Sequence, residues 1–493
     1  MKLSLTLSVS IAVSVVLSGC QHYRPEPLSA SQKAAAFEAR SLEDSGLKQF
    51  LVGARQPATL PWMPPAKWDF ETLTLVAFYF HPSLDVARAQ WGVAQAGLPT
   101  AGGRPNPTIG LIPGYNFNAA SGVSPWLPSL NYDIPIETAG KRGKRITRAE
   151  QLSESARLNI ASVAWQVRSA LRLSLLDHAA AQRRAAILES QQEIQKQLVK
   201  LIEQRRAAGA VGNFEIMTGR VALIKSSADL AESRRLIVET RQRIAEALGL
   251  SAKAIEGIQF HFDLAPALDA TKNLISEETR RQALQTRPDI LAALAEYAAS
   301  QSTLQLEIAK QYPDIHIGSG YQWDQGESKW SFGVTFELPV LNRNEGPIAE
   351  ARAKRTEVAA RFVALQAKAI GEIDRALAHR GAVQEQLAQI ETLVRTQRQQ
   401  LQSVEAAFKA GGADQVELRT AQLEASTSEL VQLDAQIKLQ QSLGQLEEAL
   451  QRPVTDWPDL TALSAIRNTR EGNVEKSQKK AAPAGANGKK MKP

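Results

Sequence analysis

Six histidines and one cysteine are the side chains in this 493-residue sequence that are best suited to metal binding or nucleophilic chemistry. No two of the histidines have the short spacing with which a helix or loop presents ligands to a metal ion. The sequence also lacks a nucleophile elbow and a phosphate-binding glycine loop. These patterns argue against an enzyme, a cofactor and a resident metal site. The histidines are His22, His81, His178, His261, His316 and His379.

The single cysteine stands where covalent lipid attachment is expected. Lys2 precedes an apolar run of about 15 residues, which is short for a bilayer span but typical of a signal peptide. The run ends in LSGC (17–20), which resembles the bacterial lipoprotein box, in which cleavage leaves an acylated cysteine as the first residue. Gln21 follows where lipoproteins of the inner membrane typically carry Asp. The motif predicts a signal peptide over 1–19, a fatty-acylated (palmitate-bearing) Cys20 and an outer-membrane location; a lone cysteine also excludes a disulfide within the chain.

The formal charge of +7 does not indicate nucleic-acid binding. Residues 467–493 contain eight Lys or Arg and two Glu, and Lys2 supplies the remaining positive charge, so the body of the chain is neutral. A basic tail without large apolar residues is typical of a disordered terminus, whereas a nucleic-acid site needs a basic face on a folded surface. We therefore expect no nucleic-acid partner.

An internal duplication organises the rest of the chain. Two prolines 25 residues apart are followed eight residues later by a tyrosine, and this arrangement occurs twice. Further on, both copies contain a glycine six residues before a glutamate. This ordered set predicts two structural repeats, over 69–250 and 276–451. The markers are Pro82, Pro107, Tyr115, Gly209 and Glu215 in the first copy, and Pro288, Pro313, Tyr321, Gly411 and Glu417 in the second.

Each repeat has the same predicted plan: a helix of about 36 residues, two strands, a very long helix, a glycine-containing turn and a returning helix. The long helices should extend roughly 100 Å at 1.5 Å per residue. The returning helices place apolar residues every seven positions, as coiled-coil packing requires. The predicted helices are 69–104, about 140–208 and 213–250 in the first copy, and 276–311, about 345–410 and 413–451 in the second.

Four segments alternate between apolar and polar residues, which is the period of a strand with two different faces. In 328–340, for example, Trp330, Phe332 and Val334 oppose Ser331 and Thr335. Short strands with one apolar and one polar face, with aromatic residues near the hairpin loops, are typical of a transmembrane β-barrel. Such barrels need about eight strands or more, and lipid tolerates no open edge, so four strands predict an oligomer. The strands are predicted at 107–118, 124–137, 313–323 and 328–340.

Three short motifs stand at the ends of the predicted helices and strands: Asn106-Pro107, Tyr312-Pro313 and the strand-to-helix junction LPVLNRNEGPIAEARA (338–353). With these motifs, residues 69–453 resemble the TolC-type outer-membrane efflux protein family, and PIETAGKRGKRI (135–146) is similar to the corresponding junction in the heavy-metal exporter branch. The resemblance implies a mainly α protein with a transmembrane β-barrel: a homotrimer with a shared twelve-stranded barrel on a long periplasmic α-helical barrel. It also implies an exit duct for small molecules or metal ions in a Gram-negative bacterium, with a periplasmic adaptor and an inner-membrane transporter of the resistance-nodulation-division type as partners.

The resemblance and the hairpin plan together suggest functional positions. The turns at Gly209, Gly212, Gly411 and Gly412 are expected to dock the adaptor. Glu405 and Asp414 near the second turn are candidates for a charged gate, and His316 for transient contact with cargo in the lumen. The basic cluster after the second strand is expected at the phosphates of the inner leaflet of the outer membrane. This cluster is Lys141, Arg142, Lys144 and Arg145.

Two alternatives remain open at this point: a lipid-anchored periplasmic coiled-coil scaffold, and the outer-membrane duct of a type I protein secretion system. The former predicts water-soluble strands, and the latter differs only in cargo. The remaining segments, 20–68, 251–275 and 452–466, are interpreted as a lipid-anchored N-terminal segment and two equatorial segments around the tube, and 467–493 as the tail.

Overall fold

The computed structural model describes residues 23–54, 67–264 and 277–453. The predicted signal peptide, Cys20 and the basic tail lie outside the described residues. Within these ranges the chain is mainly helical, with one four-stranded and one two-stranded sheet. The elements are α1 (Ala30–Glu38), α2 (Ser45–Ala54), β1 (Trp68–Asp69), α3 (Phe70–Phe80), α4 (Pro82–Gly102), β2 (Thr108–Tyr115), β3 (Trp126–Ile136), α5 (Lys141–Ala207), α6 (Asn213–Leu248), a 3₁₀ turn (Ala252–Ile255), β4 (Phe260–His261), α7 (Glu277–Thr286), α8 (Pro288–Ala309), β5 (Ile315–Asp324), β6 (Glu327–Phe336), α9 (Glu345–Lys409) and α10 (Gln415–Leu450).

The duplication is confirmed by the order of these elements. The run α4-β2-β3-α5-α6 is repeated as α8-β5-β6-α9-α10. The two long helices, α5 and α9, contain 67 and 65 residues, so each extends roughly 100 Å. Each pairs with the returning helix that follows it, and the predicted boundaries agree with the observed ones to within about two residues.

The prediction of one continuous helix before each strand pair is wrong. The chain breaks at His81 and again at Arg287, and each of these residues adopts an extended conformation (ψ 125° and 124°). Pro82 and Pro288 follow them and occupy the first turn of α4 and α8, where a missing N–H costs nothing. A proline disfavours helical backbone in the residue before it, which is why the helix is divided at these points.

The main hydrophobic core lies where α3 packs against α2, α5 and α6. Phe78, Leu171 and Ile244 are fully buried there. Arg40, in the segment between α1 and α2, donates hydrogen bonds of 2.8 Å to the carbonyl oxygens of Phe80 and Gly249. The N-terminal segment therefore fastens the end of α3 to the end of α6.

The helix α5 lies between the two returning helices, packing against α6 on one side and α10 on the other. The α5–α10 seam contains a buried ion pair in which Arg168 donates to both carboxylate oxygens of Glu447, at 2.8 and 3.3 Å. Because neither side chain is more than 7% exposed, each charge depends on the other for its solvation. This pair joins the first repeat to the second.

The larger sheet is antiparallel throughout and has the strand order β2-β3-β5-β6. The central β3–β5 pairing joins the two repeats, with Asp133 opposite Gly318 and Ile134 opposite Ile317. The small sheet is a parallel pairing of β1 with β4, which connects the start of the first repeat to the segment after it. The large sheet lies at the start of both long helices, and the hairpin turns lie at their other end.

Candidate functional site: a two-faced sheet, its helical junction and the hairpin tips

The large sheet has one apolar face, as the alternation of its strands predicts. Its register places Leu111, Leu130, Tyr321 and Trp330 in one row across all four strands. All of β6 is exposed in the single chain, and Trp330 is 79% exposed. An apolar face of this extent that none of the described residues covers indicates contact with a membrane or with another chain.

The other face is polar and contains small residues. Asp133 and His316 meet on it, with His316 Nδ1 2.8 Å from Asp133 Oδ2. A Cβ atom at Gly320 would lie 2.6 Å from Ser331 Oγ and 3.0 Å from Asn131 Oδ1. A side chain at this position would therefore require Ser331 and Asn131 to move, because their polar atoms fill the space beside Gly320. The polar face is suited to contact with water. On it, His316 is paired with the carboxylate of Asp133.

Aromatic side chains cluster at the hairpin-loop end of the sheet. The ring centroid of Tyr115 lies 5.0 Å from that of Phe117 and 5.1 Å from that of Trp126, and Tyr321 and Trp330 are 4.9 Å apart. Aromatic rings near strand ends are typical of the boundary between lipid and water. Their assignment to that boundary remains a prediction, and the clustering supports it.

Both outer strands of this sheet pair on one side only within the described ranges. The free edges belong to β2 and β6. In lipid, leaving a backbone N–H or C=O unpaired costs roughly several kcal/mol, because no water molecule is present to replace the missing hydrogen-bond partner. No helix in the described part of the chain is both long and apolar enough to cross a membrane.

The sequence predicts that the basic cluster at the start of α5 contacts lipid phosphates, but Lys141 points into the protein. Lys141 is buried, and its Nζ donates to the carbonyl oxygen of Tyr312 at 2.6 Å and to Asp314 Oδ1 at 2.8 Å. Asp314 also accepts a hydrogen bond from the backbone N–H of Thr138, at 2.9 Å. Lys141 thus ties the strand-to-helix junction of the first repeat to the helix-to-strand junction of the second.

The three other cations of the cluster also have partners in the chain. Arg145 forms an ion pair with Glu137, and Arg142 donates to the carbonyl oxygen of Gly102 at 2.7 Å. Lys144 donates to Gln305 Oε1 at 3.0 Å. These bonds join the end of α4 and the side of α8 to α5. Lipid-phosphate contact remains a prediction, and it falls chiefly on Arg142 and Lys144, since Lys141 and Arg145 are committed to carboxylates.

The hairpin turns at the other end are built alike. Gly209 and Gly411 adopt φ angles of +76° and +79°, which glycine tolerates without strain. The following residue, Ala210 or Gly412, donates its N–H to the carbonyl five residues back, at 2.9 and 2.8 Å. Both are helix ends of the Schellman type. Gly212 and Gly412 have no positive φ, so a left-handed conformation explains two of the four predicted tip glycines.

Asp414 acts mainly as a helix cap. Its Oδ1 accepts from the backbone N–H groups of Val416 and Glu417, and the Glu417 side chain accepts from the Asp414 N–H, which completes a capping box. Arg205 also donates to Asp414 from the first hairpin. The backbone N–H of Glu417 first, and Arg205 second, hold the pKa of Asp414 below its usual value. Asp414 is therefore charged, and it both caps α10 and binds Arg205. Glu405, the other gate candidate, is half-buried on α9.

The sequence contained part of this arrangement. Asp414 followed three residues later by Glu417 is a capping-box pattern that could have been recognised. The contacts of Arg205 with Asp414 and of Lys141 with Asp314 leave no local signal, because each joins residues more than 170 positions apart. In the described residues, no three His, Cys, Asp or Glu side chains are grouped so as to hold a metal ion.

These features define a class of protein: a mainly helical chain with a two-faced antiparallel sheet at one end and long helical hairpins at the other. The chain belongs to the outer membrane efflux protein family, whose model matches residues 80–250 and 279–451. The matched ranges are the two structural repeats. The match confirms the assignment made from the sequence to a family of outer membrane efflux proteins.

Several relatives and structures are similar to this chain. The cobalt-zinc-cadmium resistance protein CzcC of Cupriavidus metallidurans is 27% identical over 221 residues, which are 44% of this chain and 51% of CzcC, so the chain spans about half the length of that relative. The outer membrane protein OprJ of Pseudomonas aeruginosa is 23% identical over 392 residues, 74% of this chain and 79% of OprJ. The structure of the outer-membrane channel OprN shares the fold, with a TM-score of 0.65 at 19% identity over 88% of this chain and 99% of OprN.

Proposed function

We propose that this protein is the outer-membrane exit duct of a tripartite efflux system. The observation that supports this most is the four-stranded sheet, which has an exposed apolar face, a polar face and two free edges. Lipid would cover the apolar face, and the polar face would line a water-filled path. The helical hairpins would continue this path into the periplasm, over roughly 100 Å.

The sheet must be closed by further copies of the chain. Joining the β6 edge of one copy to the β2 edge of the next would pair every edge strand. Two copies would supply eight strands and three would supply twelve, and membership in the efflux family supports three. The proposed assembly is a homotrimer with a twelve-stranded barrel in the outer membrane.

The hairpin tips are the proposed contact with a periplasmic adaptor. They project furthest from the sheet, and Gly209 and Gly411 hold tight, exposed turns there. The adaptor would connect the duct to an inner-membrane transporter of the resistance-nodulation-division type. Arg205 and Asp414 lie at the same end, so their ion pair is a candidate for holding the tips together before the adaptor binds.

A lipid on Cys20 would fasten the N-terminus to the outer membrane. The described N-terminal segment that follows packs on α3 through α2, so the anchor would be attached close to the body of the tube. The described residues of the segments at 20–68, 251–275 and 452–466 are proposed to surround the tube at mid-height; the rest of these segments lies outside the described residues. Arg142 and Lys144 would add contacts to lipid phosphates where the sheet meets the helices.

The proposed cargo class is small solutes, with divalent metal ions first. Similarity to a cobalt-zinc-cadmium resistance protein supports metal ions, and His316 beside Asp133 offers a transient contact on the polar face. A channel of this kind does not itself need a tight metal site, since cargo must leave as readily as it enters.

Two measurements test the proposal. The mature protein, purified in detergent, should have the mass of a trimer and should form ion-conducting channels in planar bilayers; a monomer without conductance would refute the duct. Deletion of its gene should lower tolerance to cobalt, zinc or cadmium, and a Thr335→Ala variant, changed on the polar face, should restore it. Lost tolerance to organic drugs alone would overturn the metal assignment and leave the duct standing.

A further inference from the structure

A cavity lies between the two long helices, where the start of α8 meets the end of α10. Its volume is about 660 Å³, which is within the range of sites for small organic molecules. Residues of α5, α8, α9 and α10 form its wall, so both repeats of one chain contribute to it. The cavity is therefore complete without a second copy of the chain.

The cavity is on the side of the long helices that faces away from α3 and α7. On α5, Ser162 lines the cavity, whereas Leu171, two and a half turns later and on the opposite side, packs in the core with α3. On α9, Arg375 lines the cavity, whereas Leu377, about half a turn later, packs with Ala283 of α7. Because α2 packs on α3 and belongs to the segment proposed to surround the tube, the cavity would face the water-filled path of the duct.

Three buried polar atoms in the wall have no hydrogen-bond partner within residues 23–54, 67–264 and 277–453. They are Ser162 Oγ, Trp165 Nε1 and Gln451 Oε1, and Trp165 is only 2% exposed. The indole N–H donates, the amide oxygen accepts and the hydroxyl does either. Leaving such groups unpaired is costly, so their presence at one cavity indicates a polar ligand with both donors and acceptors.

Gln451 has an unfavourable backbone conformation at this cavity. It ends α10 with φ +46°, in the left-handed region. Gly249 ends α6 at the corresponding position with φ +69°, a conformation that glycine adopts without strain. A residue with a side chain is strained there, and such strain is concentrated at ligand-binding and catalytic sites. The second repeat thus has a strained side chain in the cavity wall where the first repeat has none.

The charges of the wall are balanced, and most of them pair with each other. Arg287 Nη2 lies 2.7 Å from Asp289 Oδ2 and 3.5 Å from Glu372 Oε2. Lys368 Nζ lies 3.7 Å from Glu372 Oε1. Two charged residues of opposite sign remain, Arg375 on α9 and Glu448 on α10. Both are exposed, and neither forms an ion pair with any residue that the structure describes. A wall with one available charge of each sign favours neither a simple anion nor a simple cation.

We propose that this cavity binds small zwitterionic solutes, which carry one carboxylate and one ammonium group. Arg375 would bind the carboxylate, since a guanidinium presents parallel N–H donors to its two oxygens. Glu448 would accept hydrogen bonds from the ammonium group, and Trp165 and Gln451 would bind the polar groups between the two charges. The inference rests on the proposed duct for its location alone: the cavity would contact cargo midway along the path.

Three matched dipeptide probes test the class of ligand. Alanyl-alanine carries both charges, its N-acetyl derivative carries only the carboxylate, and its C-terminal amide carries only the ammonium group. Titrations of the full-length mature protein in detergent, followed by saturation-transfer NMR, should show that alanyl-alanine binds about tenfold more tightly than either derivative, because each derivative loses one charge-assisted hydrogen bond. Equal affinities for the three probes, or no binding of alanyl-alanine, would overturn the inference.

Substitutions of the two available charges test their separate roles. Arg375→Gln should abolish the preference for alanyl-alanine over its amide, and Glu448→Gln should abolish the preference over the N-acetyl derivative. Both residues are exposed without an ion pair, so both variants should fold. Arg395→Gln and Glu391→Gln, at exposed positions of α9 outside the cavity, are the controls and should keep both preferences. Unaltered preferences in the first two variants would contradict the proposed roles.

Gln451→Gly separates binding from folding. Glycine relieves the backbone strain, as Gly249 does in the first repeat, so the midpoint of denaturation should rise. The affinity for alanyl-alanine should nevertheless fall a few-fold, because an acceptor is lost; an unchanged affinity would contradict the role of Gln451. Since one chain forms the cavity, a conducting trimer that does not bind alanyl-alanine would overturn the inference alone. A monomer that binds it without conductance would overturn the duct alone.

Discussion

Arg205 donates a hydrogen bond to the carboxylate of Asp414, and this contact joins the tips of the two helical hairpins of the chain. Both side chains are exposed by more than 40%, so the ion pair stabilises the contact between the tips by at most about 1 kcal/mol. Asp414 also caps α10. The two roles can be separated, because the cap depends on an acceptor oxygen and the link depends on charge.

We expect Arg205→Gln and Asp414→Ser to raise the open fraction of the channel a few-fold, since about 1 kcal/mol corresponds to roughly fivefold. Asp414→Ala should in addition destabilise α10 by about 1 kcal/mol, because it also removes the cap. Single-channel recording measures the first effect and denaturant unfolding the second. Lys200→Gln, at an exposed position of α5, is the control. An unchanged open fraction in both Arg205→Gln and Asp414→Ser would refute a role for the ion pair in opening the channel.

The two faces of β6 should respond differently to a charge. Val334 is on the apolar face and Thr335 on the polar face. A lysine in contact with lipid near mid-membrane costs about 2–4 kcal/mol, whereas one facing water costs little. We expect Val334→Lys to reduce the membrane-inserted trimer severely and Thr335→Lys to leave it near the wild-type amount, as measured by membrane fractionation. The reverse order would contradict the assignment of the faces.

The sequence predicted the features that are local in origin. The strand faces follow from a period of two residues, and the long helices follow from the absence of proline beyond their first turn. The prediction of a continuous helix overlooks the break at His81, although Pro82 signals it. Proline is tolerated in the first turn of a helix, so Pro82 can begin α4, and the extended backbone of His81 before it ends α3.

Contacts between the repeats could not be predicted. Arg168 and Glu447 are separated by 279 positions, and nothing near either residue distinguishes it from the many solvated charges of these helices. The partner of Lys141 could not be predicted either, because the sequence around it is as compatible with a contact to lipid phosphate as with the contact to Asp314. Only packing decided which charges are paired within the chain.

Lys141 should be a structural residue of the junction. Lys141→Met removes two charge-assisted hydrogen bonds and leaves Asp314 without its cation, so we expect a loss of about 1–3 kcal/mol in unfolding free energy. Arg142→Met is the control, because Arg142 is exposed and its bond to Gly102 is at the surface. Denaturant unfolding of the detergent-solubilised trimer measures both. An equal effect of the two substitutions would contradict a structural role for Lys141 in the junction.

The tip turns provide a test of backbone strain. Gly411 has φ +79°, and an alanine there costs about 1–2 kcal/mol. Gly412 does not have a positive φ, and a Cβ added to it would meet the Ala407 carbonyl oxygen at an ordinary distance of 3.7 Å. We expect Gly411→Ala to increase hydrogen exchange at the tip and Gly412→Ala to have little effect on it. A large effect of Gly412→Ala would show that its role is other than conformational.

His178 should make stability depend on pH. It is 3% exposed between α5 and α6, with Nδ1 3.0 Å from Thr240 Oγ1, and burial first, then Arg241, lowers its pKa from 6.5. Below pH 6.5 the unfolded chain therefore binds more protons than the folded chain. The stability that neutral His178 contributes is fully present above that pH and decreases as the pH falls towards the folded-state pKa. We expect His178→Gln to reduce the loss of melting temperature between about pH 6.5 and about pH 5, measured by circular dichroism. His379→Gln, at an exposed position, should retain the full loss, and an equal loss in both variants would exclude His178 as its source.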